Sequence, residues 1–310
     1  MTDGIEIVEV GARDGLQNEP EIIGTADKVA LITRMLDAGV KRIEVASFVH
    51  PKRVPQMADA EAVIEALPDR QDVSYIGLCL NKRGVMRAIA AGEGNRRGVD
   101  EAGCVLVASD TFGQKNQGQT IGEGIAENRD MIRLAKDNGL KAQVTISAAF
   151  GCPFEGPVPE DTVVRCAAEM AEAGAEEIAL ADTVGVGVPK QVSALIGKVR
   201  HAVGADMPLR VHFHDTRGMG IANAWAAYEA GVRVLDSSLG GLGGCPFAPN
   251  ATGNIATEDL VYLMETSGIA TGVDLGEAIE TNKWFEGVIG KTLPSVVSRA
   301  GLPTGWSAAT

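Results

Sequence analysis

The sequence predicts an α/β fold, a (β/α)8 barrel of the TIM type with an additional C-terminal helix. Three observations predict it. Short β-branched runs alternate with longer segments of helical period, eight times along the 310 residues. Each strand-then-helix unit needs a crossover to reach the next strand, so neighbouring strands are parallel. Polar residues stand at the ends of many strands, whereas an open doubly wound sheet gathers them at one switch point. The chain reads as a single domain over 1–310, with the barrel at about 5–268 and an extension at 269–310.

The first strand is expected over Ile5 to Val10, then a helix from Thr25 to Ala38 that Gly39 closes. The second strand runs Arg42 to Phe48, with a helix at Ala58 to Leu67. The third runs Val73 to Leu80, with a helix from Lys82 to Ala91. The fourth runs Gly103 to Ala108, with a long helix from Ile121 to Asn138 before Gly139. The fifth covers Lys141 to Ala149, and its helix Glu160 to Ala173 stops at Gly174. The sixth is Glu177 to Ala181, followed by Pro189 to Val203, where Pro189 suits a first helical turn. The seventh is Leu209 to His214, followed by Ile221 to Ala230. The eighth is Arg233 to Ser238, followed by Asn254 to Ser267. Asp274 to Gly290 has the period of an extra helix.

Composition narrows the function. A net charge of −13 repels nucleic-acid phosphates and anionic lipid, so neither nucleic acid nor membrane is an expected partner. A polyanionic small molecule would need a local basic patch. Cys79, Cys104, Cys152, Cys166 and Cys245 are scattered and form no CxxC pair, which suits free thiols in a reducing compartment. The first residues carry no basic and apolar leader pattern. No run approaches the ~18 apolar residues of a membrane span. A cytoplasmic protein is expected.

The strongest chemical signal is Val211-His212-Phe213-His214-Asp215. Strand side chains alternate, so His212 and His214 share a face. One buried histidine is ordinarily a satisfied core residue, but two at i and i+2 near a barrel mouth point to a metal or a substrate. Closure of the barrel brings the first strand beside the eighth, so Asp14, in Gly11-Ala12-Arg13-Asp14-Gly15, reaches the same point. Asn254 offers an amide oxygen as a fourth ligand. An oxygen and nitrogen set without thiolate suits Mg²⁺ or Mn²⁺.

Four glycines in Gly240-Gly241-Leu242-Gly243-Gly244 predict a mobile loop that delivers Cys245 to a ligand as acid or base. Glu44 lies inside an apolar strand and Asp182 ends another, so each needs a partner such as Arg13 or a cation. A structural salt bridge is an equal reading of Glu44. Gln17, just past Asp14, is placed to bond a substrate.

The runs VEVGARDGLQNE, IEVASFVHPKRVPQM, FGCPFEG, DTVGVG, VHFHDT, GLGGCPFAPNATGN and ATEDLVY follow one another in order from about residue 5 to 275. Together they resemble hydroxymethylglutaryl-CoA lyase. The wider superfamily includes the isopropylmalate and homocitrate synthases. The resemblance implies a divalent cation held by Asp14, His212, His214 and Asn254. It implies that Arg13 steadies the enolate oxygen and that Cys245 is the thiol acid/base. Glu44 and Asp182 shape the site, and Lys115 and Asn116 contact CoA. The implied reaction is retro-Claisen cleavage of a 3-hydroxyacyl-CoA to acetyl-CoA and an oxo acid, with His212 or Asp14 taking the hydroxyl proton. The alternative is a synthase that condenses acetyl-CoA with a 2-oxo acid. An acyl-CoA substrate and a homodimer are the expected partners.

The sequence departs from the family at Gln143 and Thr145, where the lyases carry Arg and Tyr. It departs again at Arg217 and Phe247, each in place of Tyr, and at Pro20, in place of Lys. Thr145 is expected to leave space in the acyl pocket and Arg217 to add positive charge at the mouth, which together suit a bulkier or more polar group at C3.

Overall fold

The computed structural model describes residues 4–94, 96–245 and 248–308, with side chains for all of these except 245 and 248–252. The strands are β1 (Glu6–Glu9), β2 (Arg42–Ser47), β3 (Ser74–Cys79), β4 (Glu101–Val107), β5 (Lys141–Ser147), β6 (Glu177–Asp182), β7 (Leu209–Phe213) and β8 (Val234–Ser237). They close into one barrel in sequence order, β1 pairing with β8 through Glu6↔Val234 and Glu9↔Ser237. The helices after them are α1 (Thr25–Asp37), α2 (Ala60–Glu65), α3 (Lys82–Ala91), α4 (Asp110–Asn116), α5 (Ile121–Asp137), α6 (Glu160–Glu172), α7 (Pro189–Val203), α8 (Gly220–Glu229) and α9 (Thr257–Thr266). The extra helix is α10 (Leu275–Ile289). It packs on α1, where the Arg34 guanidinium lies 4.5 Å over the Trp284 ring.

The helical period places Leu31, Ile32, Met35 and Leu36 of α1 against the sheet, and the other helices bury their faces in the same way. Local signals fix several boundaries. Thr120 and Glu123 form a reciprocal cap at the start of α5, and Pro189 opens α7.

Several expected boundaries shift. Most strands stop a residue or two short of the mouth, where the backbone turns to meet loops. The last barrel helix starts at Thr257, because Gly253 to Ile255 pair with the end of β7: Asp215 N–H donates to Gly253 C=O (2.7 Å) and Ile255 N–H to Phe213 C=O (3.2 Å). Elements beyond those expected include α4, the terminal α11 (Val296–Ala300), and a ribbon of β9 (Gly244–Cys245) with β10 (Ala248–Thr252) inside the glycine-rich loop.

The barrel interior is charged. Arg42 on β2 pairs with Glu101 of β4 (2.5 Å) and Glu177 of β6 (2.7 Å). Arg210 on β7 pairs with Glu177 (2.9 Å) and with Asp236 of β8 (2.9 Å), and also bonds Gln143 of β5. Buried charges persist only when paired in this way.

Candidate active site

The chain leaves β1 through one turn of π-helix, Gly11–Gly15, closed by Gly15 N–H to Val10 C=O (3.2 Å). Such turns re-aim side chains and occur often at functional sites. A Cβ at Gly15 would lie 2.8 Å from Leu242 Cβ, so glycine lets the turn sit against the following loop. The turn points Arg13 and Asp14 into the mouth. Asp14 Oδ2 lies 3.9 Å from His212 Nε2 and 3.8 Å from His214 Nε2. The three donor atoms all lie within 4.8 Å of one another. A Mg²⁺-type octahedron at 2.0–2.1 Å sets adjacent ligand atoms ~3 Å apart, so small side-chain shifts would bring these three donors onto such an ion. Asn254 lies beside this set. Its Nδ2 donates to Asp14 Oδ2 (2.9 Å) and Leu242 C=O (3.1 Å), while its Oδ1 is buried with no partner among the described residues.

Charge bookkeeping agrees. The guanidiniums of Arg13, Arg42 and Arg210 face the carboxylates of Asp14, Glu44, Glu101, Glu177 and Asp236, all at most 14% exposed. Carboxylates thus outnumber guanidiniums in a low-dielectric interior, an excess that a divalent cation would offset. Burial pushes the Asp14 carboxyl up, but the Arg13 guanidinium and both imidazoles outweigh it and hold Asp14 well below the usual carboxylate range. Glu44 is pushed up by burial, against the pull of Arg13.

The cavity over this floor encloses about 350 Å³, and Arg13, Gln17, Glu44, Asn116 and Thr145 line it. Glu44 accepts from Arg13 Nε (2.7 Å), and Asp14 Oδ1 accepts from Arg13 NH1 (2.5 Å). Glu44 thus forms a salt bridge that also faces the cavity. Lys115 lies outside the lining, its Nζ 5.1 Å from the Phe154 ring centroid. Asp182 is satisfied otherwise than expected. Ala181 and Thr183 face the cavity, so strand alternation turns Asp182 away, and its carboxylate accepts from Val186 N–H (3.0 Å) and Gly187 N–H (2.8 Å). Arg217 also departs from expectation. It donates to the carbonyls of Val184 (3.0 Å) and Gly185 (2.8 Å) and does not line the cavity.

At Gly240 the absence of a side chain serves close packing. Gly240 has φ +63°, and a Cβ there would lie 2.5 Å from Leu293 Cδ1 and 2.6 Å from Asn282 Oδ1. Two buried carboxylates clamp this turn from below. Glu9 accepts from Leu239 N–H (2.9 Å), Gly11 N–H (2.8 Å) and Thr257 Oγ1 (2.5 Å), and Glu258 accepts from Gly240 N–H (2.9 Å). Burial pushes Glu9 up to about 7 and Glu258 up to about 8. The Cys245 side chain and Phe247 lie outside the described residues. Cys79, Cys104, Cys152 and Cys166 are buried free thiols.

Asp236 and Arg210 carry parts of the site that sequence reasoning missed. Asp236 Oδ2 sits 3.1 Å from His212 Nδ1, which turns Nε2 toward Asp14, and Arg210 holds the other Asp236 oxygen. The signal was present: Arg210, His212 and His214 share one strand parity, and Asp236 interrupts an apolar strand as Glu44 does.

A family model described as HMGL-like matches residues 4–284. The (R)-citramalyl-CoA lyase of Chloroflexus aurantiacus is 43% identical over 96% of this chain and 95% of its own length. The hydroxymethylglutaryl-CoA lyase of Bacillus subtilis is 40% identical over 94% of this chain and 95% of its own length. A solved HMG-CoA lyase from Acinetobacter baumannii, in complex with coenzyme A and 3-methylmalate, superposes with a TM-score of 0.91 at 38% identity, covering 98% of this chain and 97% of that one. A match over nine-tenths of the chain, onto a barrel whose mouth gathers Asp14, His212 and His214, makes this protein a member of the HMGL-like family and a lyase.

Proposed function

We propose that this lyase cleaves the C2–C3 bond of a 3-hydroxy-3-methyl dicarboxylic acyl-CoA and releases acetyl-CoA with an oxo acid. The observation that carries the reading is the Asp14, His212 and His214 set, with Asn254 bonded to Asp14, on the floor of a cavity that also holds Arg13. A divalent ion held there, Mg²⁺ or Mn²⁺, would supply a Lewis acid to the substrate. His212 or Asp14 accepts the hydroxyl proton. Arg13, fixed by Glu44 and Asp14, presents its guanidinium to the thioester oxygen as negative charge develops there. Cys245 returns a proton to C2. Serine at position 245 should keep metal affinity and lower turnover by roughly 10²-fold. Turnover equal to the native protein would reduce the thiol to a packing residue.

Hydroxymethylglutaryl-CoA and citramalyl-CoA share the 3-hydroxy-3-methyl centre and differ by one methylene in the carboxylate arm. Thr145 lines the wall, and Arg210 donates to its hydroxyl (3.3 Å). A small residue there suits substrates with different arms. The test is to supply Mg²⁺ with each thioester and to assay acetyl-CoA together with acetoacetate or pyruvate. Cleavage of hydroxymethylglutaryl-CoA supports that substrate, and cleavage of citramalyl-CoA alone supports the shorter arm. No acetyl-CoA from either, with metal bound, would overturn the lyase reading for this substrate class.

A further inference from the structure

Side chains from four strands meet at the guanidinium of Arg210. Two-residue alternation turns Arg210 and His212 of β7 to the barrel interior, so the guanidinium lies one layer below the imidazole. On β5 the same alternation puts Gln143 and Thr145 on the inner face. Ala179 of β6 stands between them as the register partner of both Thr145 and Arg210. Its methyl group takes little of the interior, and the arginine crosses in front of it to β5.

The guanidinium is shared among four partners. Its Nε lies 2.9 Å from Glu177 Oε1, NH1 donates to Asp236 Oδ1 (2.9 Å), and NH2 donates to Gln143 Oε1 and to Thr145 Oγ1 (3.3 Å). The side chains of Arg210, Glu177 and Asp236 are at most 7% exposed, so water competes little for these bonds. Arg42 holds Glu177 from its other side (2.7 Å). Two of the four partners lead into the site. Asp236 Oδ2 meets His212 Nδ1 at 3.1 Å. Thr145 lines the cavity, and because Arg210 donates to its oxygen, its own O–H turns away from the guanidinium and toward the cavity.

We infer that Arg210 is a positioning residue that ties the candidate cation site to the acyl wall. Through Asp236 it fixes the ring that presents His212 Nε2, and through Thr145 it makes the wall a hydrogen-bond donor. The second role rests on the lyase reading and the first does not. A planar fork with donors on separate nitrogens can hold Asp236 and the β5 pair at once, whereas the donors of a lysine radiate from a single nitrogen.

The test is Arg210→Lys, which keeps the buried charge and removes the fork. Mn²⁺ affinity, read by electron paramagnetic resonance without substrate, should fall by about tenfold, as for other residues that orient a ligand from behind. The loss should be much smaller when the same change is made in D236N, because the effect runs through Asp236. Thr145→Val should leave Mn²⁺ affinity unchanged and, at saturating metal, raise KM for the cleaved thioester by about three- to tenfold. R210K should then add little to KM in the T145V background. Glu177→Gln keeps the guanidinium and loosens it from below, so it should shift Mn²⁺ affinity in the same direction by less, and it serves if R210K does not fold. A lower Tm with native Mn²⁺ affinity and KM in the folded variant would mean that the network is only structural and would overturn the inference, as would effects of R210K and D236N that simply add. A protein that cleaves no acyl-CoA yet loses Mn²⁺ affinity in R210K would sink the lyase reading and the role at Thr145 with it, and leave the role at His212 standing.

Discussion

Asp236 holds His212 through Nδ1 and is itself held by Arg210, so the metal-facing nitrogen is set by a residue on the neighbouring strand. Asp236→Asn should lower Mn²⁺ affinity by about 10- to 100-fold while the barrel still folds. Titration followed by electron paramagnetic resonance reads this directly, and native-like affinity would show that His212 needs no such support. A second expectation concerns Glu258. Its folded-state value near 8 and that of Glu9 near 7 lie above the ordinary 4.5, so the folded chain binds these protons more tightly than the unfolded one. Their contribution favours folding at low pH and is lost as pH rises from about 4.5 to about 8. Glu258→Gln imitates the protonated acid and should become progressively more stable than the native protein across that window. Urea unfolding at a series of pH values measures the difference, and a flat difference would contradict it. His212 and His214 were legible at this scale because two-residue alternation is a local property. Asp236 was not singled out, since its partner is brought to it only by the pairing of β7 with β8.

At the level of elements, the glycine-rich loop is built downward onto α9 and the C-terminal segment. Gly240 meets Leu293 and Asn282, and Ser295 N–H donates to Gly240 C=O (2.9 Å). Gly240→Ala would force a Cβ into this contact at positive φ and should destabilise the protein by about 1–3 kcal/mol. Turnover should fall with it, as the ribbon bearing Cys245 begins only a few residues further on. Chemical denaturation checks the first effect, and steady-state assay of the folded variant checks the second. The eight alternations were readable because hydrophobic period and turn glycines are written in short windows. The start of the last barrel helix was misplaced, since strand-like pairing of residues 253–255 with β7 competes with helix formation there and depends on distant residues.

For the whole molecule, the excess of carboxylates over guanidiniums inside the barrel would make a bound cation part of the fold's electrostatics. Dialysis against EDTA should abolish activity and lower Tm, and Mg²⁺ or Mn²⁺ should restore both. At a hundred times Kd the ion should add about 2.7 kcal/mol to the stability of the folded state. Full turnover or an unchanged Tm after chelation would contradict this. The sequence by itself determined the barrel and the meeting of Asp14, His212 and His214 at its mouth. Strand alternation and the closure of eight parallel units depend on local patterning and on a topology with few solutions. Only the tertiary structure decided that Asp182 turns to its own loop, that Arg217 caps backbone carbonyls, and that Gly240 serves close packing. Each of these depends on which partner lies within a few ångströms, and that distance is set by packing between segments far apart in the chain.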